Sequence, residues 1–445
     1  MGDLITVFLR ESKTTELDIS DSDAQVLRNF GKLLAADRTF QKVDNDETDD
    51  AEDDDNDSPS IIEVWREPSD TAWKVRVQNS IGAIRLGDIQ LIVQPKIALS
   101  HFSFIASMAL TGGNLRMLDK NLVNLRAGDS YFDALANAYL ELLEEVLRYE
   151  LRVEYVSFED QLTFARGKIF PVRTASNFLK GVARFDCRFE EFSVDNPVNR
   201  ILKAAAISIA KSRVCNNRPL QRKGSQLAFR FNGVGDLRPT DLYAKEGRIS
   251  DRLKFALRIA REILGGNLRE IKIGNMQVSS FLQYTPGIIE QGIRQVLAAG
   301  LNSWVTVVKE RNYAVKGTVS FNPDLVFIEK GISISAPKPP ATAGRHIATG
   351  DVKYRVESKW SKSTLNQAVT FAESMDVQQG IVVSFRGVDD APLPSQKLKG
   401  GITIHSSTWV DDESSLPSEA AKNLCISVAG NLGRPELVIP TNLVA

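Results

Sequence analysis

Two apolar runs carry charged residues at positions where a β-strand is normally apolar. The runs cover residues 319–328 and 346–354, and both have the residue types of β-strands. Asp324 lies in the first run, and Asp351 and Lys353 lie two positions apart in the second. Because alternate residues of a strand point to the same face, Asp351 and Lys353 are expected to reach one ligand together. Any fold of this chain must therefore place three charged groups in or beside a sheet.

The chemistry expected of these residues depends on what compensates their charges. Two carboxylates on one sheet face are costly to bury, and a divalent cation is a common compensator. Carboxylate oxygens favour Mg²⁺ or Mn²⁺, and such an ion would support phosphodiester hydrolysis, with Lys353 holding the attacking water or the developing charge. The three residues alone leave a second interpretation open, in which Lys353 forms a salt bridge with Asp351 in solvent at a sheet edge.

Helices and a strand are predicted on both sides of the two runs. Thr285–Gly300 begins with a Thr-Pro pair, ends at a glycine and has one apolar stripe, with Glu290 at its border. Residues 361–376 predict a second amphipathic helix, which carries Gln367, and residues 380–385 have the pattern of a buried strand. The predicted order is therefore helix, two strands, helix and strand.

This order, with Pro-Asp in the first run and Asp-x-Lys in the second, resembles the PD-(D/E)XK nuclease superfamily. The resemblance implies a set of catalytic and supporting residues, namely Asp324, Asp351, Lys353, Glu290 and Gln367. It also implies that the metal ion is held by Asp324, Asp351 and the backbone carbonyl group of Val352. For Glu290, an exposed position on the helix surface is the alternative interpretation.

The charge distribution is uneven, although the formal net charge of the 445 residues is only −1. Residues 44–57 contain ten acidic residues and no basic ones, so the rest of the chain carries −1 + 10 = +9. Such an acidic tract repels itself and buries no apolar surface, which predicts a disordered, solvated loop. The rest of the chain is mildly basic, and a basic protein surface suits a polyanionic partner.

Cysteine content and hydropathy indicate the compartment. The three cysteines are scattered and lack Cys-x-x-Cys spacing, which predicts a reduced, cytoplasmic protein with neither disulfides nor a zinc site. No apolar run approaches the ~18 residues of a membrane span, so no membrane partner is expected.

The N-terminal part is predicted to contain both strands and helices. Residues 60–97 contain four short β-like runs separated by turn-forming residues, which predict a small barrel or curled sheet. A later helix is preceded by Asp195 and Asn196 and begins with Pro197, residues typical of helix starts. Further helices are predicted at residues 101–110, 131–149 and 250–264.

Four segments in order resemble the McrC family, the nuclease subunit of McrBC-type modified-cytosine restriction systems. They are QLIVQPKI (residues 90–97), ARGKI (165–169), FEEFSVDNPVNRILKAAA (189–206) and DVKY (351–354). The resemblance implies that an N-terminal part docks onto a hexameric AAA+ GTPase, McrB, and that a C-terminal part cuts DNA. The sequence departs from the family pattern in its acidic insertion, in Ile289 before Glu290, and in the long Pro-rich link before the second run.

We therefore expect an α/β protein in which an N-terminal β-rich and helical region precedes a restriction-endonuclease-like α/β core. The expected domains are residues 1–110 for partner docking, 111–274 as a mixed middle region, and 275–445 as the nuclease. The expected function is Mg²⁺-dependent cleavage of double-stranded DNA, directed by a McrB-like ring whose GTPase the chain stimulates. That cytosine in this DNA is modified is what the family resemblance implies, and the sequence itself does not identify the modification. The alternatives are a non-cleaving activator of an AAA+ GTPase, and a DNA-repair or RNA-processing nuclease of the same superfamily.

Overall fold

The computed structural model describes most of the chain in nine ranges. They are residues 4–36, 61–113, 129–149, 151–245, 247–310, 312–313, 320–330, 344–356 and 359–434. The acidic tract at residues 44–57, predicted to be a solvated loop, lies outside them. The chain divides into two compact units, one formed by Met1–Leu135 with Arg269–Ala445 and the other by Ala136–Leu268.

The first unit begins with two small sheets and two helices. Their elements are β1 (Ile5–Arg10), β2 (Thr15–Leu17), α1 (Asp21–Ala36), β3 (Ile62–Trp65), β4 (Trp73–Val77), β5 (Ser80–Leu86), β6 (Ile89–Gln94) and α2 (Leu99–Thr111). The three-stranded sheet has the order β2-β4-β3, whereas β5 and β6 belong to a five-stranded sheet. The prediction of one barrel or curled sheet at residues 60–97 was therefore wrong, because its four strands divide between two sheets whose apolar sides share a core with α1.

The five-stranded sheet is completed from a distant part of the chain. Its order is β1-β6-β5-β11-β10, where β10 is Leu268–Ile273 and β11 is Met276–Tyr284. Strand β11 pairs antiparallel with β5, and a Cβ atom at Gly82 would lie 2.0 Å from the Phe281 carbonyl oxygen. Glycine is thus required there, and its φ of 137° is one that other residues rarely adopt. The domain boundary expected at Gly274 falls in the turn between β10 and β11, inside this sheet.

The C-terminal part of the first unit is a mixed six-stranded sheet with helices. Its elements are α8 (Thr285–Gly300), β12 (Val305–Val308), β15 (Leu325–Lys330), β16 (Gly344–Val356), α9 (Lys362–Ser374), β17 (Gln379–Arg386), β18 (Gln396–Lys397), β19 (Thr403–Val410) and α10 (Pro417–Asn431), with the short pair β13 (Asn312–Tyr313) and β14 (Ser320–Phe321) beside it. The strand order is β12-β15-β16-β17-β19-β18. The predicted helix, two strands, helix and strand occur in that order, but an additional strand that was not predicted, β12, lies between α8 and β15 and forms the edge of the sheet. The α/β class is confirmed.

Alternate residues of this sheet contact different helices. Val326 of β15 and Val382 of β17 share a core with Ala368 and Ala372 of α9. On β19, the Trp409 indole instead donates a hydrogen bond of 2.8 Å to the His101 ring in α2. The sheet is therefore covered by helices that come from both the N-terminal and the C-terminal parts of the first unit.

The second unit combines a small antiparallel sheet with a helical bundle. Its elements are most of α3 (Tyr131–Arg148), β7 (Glu154–Leu162), β8 (Lys168–Ile169), α4 (Pro171–Leu179), β9 (Phe185–Ser193), α5 (Pro197–Lys211), α6 (Arg218–Phe229) and α7 (Asp251–Glu262), with a 3₁₀ turn at Asp241–Tyr243 and a π turn at Ile263–Asn267. The sheet order is β7-β9-β8. No helix among the described residues is long and apolar enough to cross a membrane.

A buried polar cluster explains why the segment 195–200 (DNPVNR) is polar at a helix start. The Asn196 side chain accepts the backbone N–H of Asn199 at 3.1 Å and so caps α5, whose first residue is Pro197. Arg200 donates two hydrogen bonds of 2.8 and 2.9 Å to the Asp241 carboxylate and one of 2.9 Å to Asp195. The helix start predicted there is confirmed, and its arginine ties α5 to the loop around Asp241.

Candidate functional site

Strand register brings Asp324 and Asp351 together. In the antiparallel pair β15–β16, Leu325 lies opposite Gly350, so Asp324, one residue before β15, stands opposite Asp351. The backbone N–H of Val352 donates a hydrogen bond of 3.0 Å to Asp324 Oδ2, which fixes that carboxylate against β16. Because the pairing sets this arrangement, the length of the Pro-rich link between the strands does not decide where the two carboxylates lie.

Lys353 and Gln367 complete the polar group on β16 and α9. Lys353 Nζ donates a hydrogen bond of 2.8 Å to Gln367 Oε1 and lies 3.2 Å from Asp351 Oδ2. The helix that carries Gln367 begins at the capping residue Ser361, whose hydroxyl accepts the Thr364 N–H. Strand periodicity therefore placed Asp351 and Lys353 on one face correctly. The two side chains are only 3% and 9% exposed, so a solvent-exposed salt bridge at a sheet edge is wrong for this pair.

Burial makes the Asp351 charge unfavourable in the folded protein. The pKa of Asp351 is raised from 3.8 to about 7, chiefly because burial desolvates the carboxylate; the Lys353 ammonium opposes the rise and the neighbouring Asp324 charge adds to it. The Oδ2 atom of Asp351 is buried without an oriented hydrogen bond, although the Lys353 ammonium lies 3.2 Å away. A further cation at this site would relieve the cost of that charge.

Two basic residues that the sequence did not single out lie among the carboxylates. Lys309 Nζ is 3.6 Å from Glu290 Oε2 and 3.7 Å from Asp324 Oδ1, so its ammonium links the two side chains. Arg294, one turn after Glu290 in α8, donates a hydrogen bond of 2.9 Å to the Asp324 carbonyl oxygen. The spacing of Glu290 and Arg294 is a signal for a shared helix face, whereas nothing near Lys309 in sequence points to this site.

An open cavity of about 780 Å³ lies beside this group. Glu290, Val352, Lys353 and Gln367 line it, while Asp324 and Asp351 are buried behind that wall. The structure thus brings Asp324, Asp351, Lys353 and Gln367 into one contact group and connects Glu290 to it through Lys309. Glu290 faces the cavity with a side chain 16% exposed, not the open helix surface of the alternative interpretation.

The arrangement can place carboxylate and carbonyl oxygens, a fixed ammonium group and an amide side chain at the edge of a cavity. No group of three or more His, Cys, Asp and Glu side chains suited to a metal ion occurs in the nine described ranges. The three cysteines are free thiols, all buried. The donors present at the cavity edge are carboxylate, carbonyl and amide oxygens, and oxygen donors select hard cations.

Comparison with known proteins gives the relationship of the whole chain. The model of a family described as "McrBC 5-methylcytosine restriction system component" matches residues 75–376. A chain of the refined half-complex from the tetradecameric assembly of Thermococcus gammatolerans McrB AAA+ hexamers with bound McrC is similar over 96% of this chain and 99% of its own, with 18% identity and a TM-score of 0.59. A chain of the cryo-EM structure of the Thermococcus gammatolerans McrBC complex covers 66% of this chain and 87% of its own, with 20% identity and a TM-score of 0.45.

The comparison with curated proteins gave no significant match. The likeness to the T. gammatolerans half-complex, at 18% identity, supports the α/β fold. The family match is independent of that likeness, and it includes Asp324, Asp351, Lys353, Glu290 and Gln367. Because the matched residues 75–376 span more than half of the 445 residues, this chain belongs to the family of McrBC 5-methylcytosine restriction system components.

Proposed function

We propose that this chain is the nuclease subunit of its restriction system, a Mg²⁺-dependent endonuclease that acts in the cytoplasm and cuts double-stranded DNA in which cytosine is modified. The observation that carries the proposal is the contact group in which Lys353 lines an open cavity and Asp324 and Asp351 lie buried behind the cavity wall. Membership of a family named for 5-methylcytosine restriction supports DNA as the substrate. The positive charge of the chain outside residues 44–57 suits such a polyanion.

The donor set fits Mg²⁺ or Mn²⁺. Asp324 and Asp351 supply carboxylate oxygens, one of them a buried Asp351 oxygen without an oriented hydrogen bond, and Val352, whose carbonyl group is the third implied donor, lines the cavity. A larger cluster of acidic side chains is not needed, because Mg²⁺ keeps several water ligands and binds through one or two carboxylates. When bound, such an ion polarises the phosphate and acidifies a water molecule.

The chain's own contribution to the reaction is a fixed positive charge beside the reacting phosphate. Lys353 is held from two sides, by Gln367 at 2.8 Å and by Asp351 at 3.2 Å. As water attacks phosphorus, negative charge increases on the phosphate oxygens, and an ammonium group already in place stabilises it without reorganisation. Lys353 is therefore proposed as a catalytic residue, and Gln367 as a residue that positions it.

Cleavage of methylated plasmid DNA tests this function. The full-length protein is mixed with the McrB-like AAA+ ring of its own system, GTP and the plasmid. It should produce linear DNA in the presence of Mg²⁺ and none after chelation with EDTA. Unmethylated plasmid is the matched substrate control and should remain uncut. GTP turnover that rises on addition of the chain without any DNA cleavage would instead identify a non-cleaving activator.

We also propose that the chain binds an AAA+ GTPase ring and raises its GTP turnover. The T. gammatolerans assembly with the TM-score of 0.59 consists of McrB AAA+ hexamers with bound McrC, and the fold likeness covers 96% of this chain. A fold shared over nearly the whole length supports the same kind of partner. The proposed partner is accordingly a hexameric, McrB-like ring.

An exposed apolar surface on the second unit is the favoured docking site for that ring. Tyr155 of β7 and Phe192 of β9 form a ring contact of 4.7 Å in a part of the sheet that is open to solvent. On α4, which packs on β9, Val172 and Leu179 are 84% and 90% exposed. Exposed apolar side chains on elements that pack together are the kind of surface that a protein partner covers. It favours the second unit over residues 1–110, the region to which the sequence assigned docking.

Charge placed on this surface should weaken ring binding. Replacing Tyr155 and Phe192 by aspartate removes two aromatic contacts and introduces charges that an interface would desolvate, so we expect at least about a ten-fold loss of affinity. Phe229→Asp is the matched control, because Phe229 is an exposed aromatic residue of the same unit outside the small sheet. Size-exclusion chromatography of the mixed proteins and titration by light scattering measure the effect. Equal binding by both variants would assign docking to another surface.

A further inference from the structure

The cavity has a basic residue that the proposed chemistry does not use. Lys96 lines it together with Lys353 and Arg355, although Lys96 comes from the segment after β6, the second strand of the five-stranded sheet. This lysine belongs to the segment QLIVQPKI, one of the four segments by which the sequence resembles its family. A residue of the N-terminal part thus contributes positive charge to the cavity next to the candidate catalytic strand.

The backbone N–H and carbonyl groups of Lys96 both form hydrogen bonds. Its N–H donates a hydrogen bond of 3.1 Å to the Tyr354 hydroxyl oxygen, and its carbonyl oxygen accepts one of 2.7 Å from Arg10 Nη2. The ammonium group lies 4.9 Å from the centre of the Tyr354 ring. Because Tyr354 follows Lys353 in β16, these contacts fix the position of Lys96 relative to the strand that carries Asp351 and Lys353.

The Lys96 ammonium keeps hydrogen-bonding capacity toward the cavity. Its nearest carboxylate oxygen is Glu11 Oε1 at 3.9 Å, which is an ion-pair distance but too long for a hydrogen bond. None of the hydrogen bonds found within the described part of the chain uses this ammonium, and the Lys96 side chain is 26% exposed. Glu11 is buried and also accepts a hydrogen bond from the Thr285 hydroxyl. Lys96 therefore lines the cavity with a charge that is partly balanced by Glu11.

Another part of the cavity wall is also suited to an anion. Ser363, Thr364 and Asn366, in the first turn and a half of α9, line the cavity, and the start of a helix favours negative charge. Arg355 Nη2 donates a hydrogen bond of 2.7 Å to Thr364 Oγ1 and so brings a guanidinium group to the same wall. Among the lining residues that the structure describes, Glu290 is the only acidic one.

We propose that Lys96 binds a backbone phosphate of the DNA strand that is cut, outside the scissile position. The proposal rests on the proposed nuclease function and specifies its substrate contact. Lys353 acts on the reacting phosphate, whereas Lys96 holds a neighbouring phosphodiester and sets the register of the strand in the cavity. Phosphate contacts of this type position a nucleic acid and contribute a salt-dependent part of its affinity.

A purely structural role for Lys96 predicts a different result in a double variant. If the lysine served only as counter-ion for the buried Glu11 carboxylate, replacing both residues by glutamine would remove the unpaired charge and restore DNA binding. If Lys96 binds phosphate, the double variant binds DNA as weakly as Lys96→Gln alone. Lys96→Arg keeps the charge and should retain affinity within about two-fold of the wild type.

The test is the affinity of full-length protein for a short duplex in EDTA, measured by fluorescence anisotropy at several salt concentrations. Lys96→Gln should raise the Kd by about five-fold at 0.1 M salt and lower the slope of log Kd against log salt by about one. Lys13→Gln is the matched control, because Lys13 is an exposed lysine near the end of β1 that does not line the cavity, and it should leave both values unchanged. In Mg²⁺ with the ring, Lys96→Gln should raise KM more than it lowers kcat.

Failure of this inference and failure of the nuclease function give different results. A wild type that binds DNA in EDTA but does not cut it overturns the nuclease function, while the Lys96 result can still support the phosphate contact. An unchanged Kd and salt slope for Lys96→Gln, or full recovery in the Glu11→Gln/Lys96→Gln variant, overturns the phosphate contact. A wild type that does not bind DNA in EDTA also overturns it.

Discussion

Replacement of Asp351 by alanine is expected to reduce DNA cleavage by about 10³-fold or more while ring binding stays intact. The side chain lies 3.2 Å from Lys353 and stands opposite Asp324, so its loss removes an oxygen donor and one support of the Lys353 ammonium, which we propose as catalytic. Lys353→Met should cause a loss of similar size. Gln367→Ala, which removes only the second support of Lys353, should cost about 10–100-fold.

The assay is plasmid cleavage with the ring partner, GTP and Mg²⁺, with GTP turnover measured in the same samples. Glu373→Ala is the matched control, since Glu373 is an exposed carboxylate at the end of the same helix α9. Cleavage by Asp351→Ala at more than about a tenth of the wild-type rate would contradict the assigned role. Loss of GTPase stimulation in that variant would show that the site and the ring contact depend on each other.

The raised pKa of Asp351 should make the stability of the metal-free protein depend on pH. The pKa of Asp351 is raised to about 7 in the folded state, so between pH ~4 and ~7 the folded chain binds a proton that the unfolded chain has released. The contribution of Asp351 to the free energy of unfolding is therefore fully present at low pH. It is lost as pH rises through that window, which lowers the free energy of unfolding by on the order of 2–4 kcal/mol. Asp351→Asn cannot titrate, so its unfolding free energy should fall less than that of the wild type from pH 4 to pH 8 in EDTA. Parallel pH profiles for the two proteins would contradict the raised pKa.

Part of the candidate site could be predicted because strand alternation is a local property. Asp351 and Lys353 share a face through that alternation, and the helix that carries Gln367 has a capping serine and an apolar pattern that are visible in the sequence. The assignment of Asp324, Glu290 and Gln367 to the same site came instead from the family resemblance. The antiparallel register that places Asp324 opposite Asp351 is a contact between two strands, and neither run encodes it by itself.

The other residues near the site are brought there by contacts between distant segments, and no local sequence pattern predicts those contacts. Lys309 follows a different strand, and Lys96 is separated from Tyr354 by 258 positions. The five-stranded sheet is completed by β11, nearly two hundred residues after its partner β5, so the division of strands between sheets could not be read from residues 60–97 alone. The polar cluster around Arg200 was visible only as a helix start, because its partner Asp241 lies 41 positions away.

That cluster gives the largest expected effect on stability. Arg200 is 5% exposed and donates to the Asp241 carboxylate, which is 3% exposed, through two hydrogen bonds in a bidentate pair. Removing one member of a buried pair leaves the other charge without compensation, so Arg200→Ala should lower the free energy of unfolding by about 3–5 kcal/mol. Arg222→Ala, at an exposed arginine on α6 of the same unit, is the matched control and should change it by no more than about 0.5 kcal/mol.

The pH dependence of the Arg200 effect distinguishes a charge pair from simple packing. The Arg200 guanidinium holds the pKa of the Asp241 carboxyl below its usual 3.8, so the pair contributes stability that is present above that value and is lost as pH falls through the lower folded pKa. Chemical denaturation at pH 7 and below pH 3 should therefore show a larger cost of Arg200→Ala at pH 7. A cost that is equal at both pH values would indicate lost packing instead. Replacing Arg200 by methionine and Asp241 by leucine together should recover part of the stability, because the double change removes both buried charges and leaves neither unpaired.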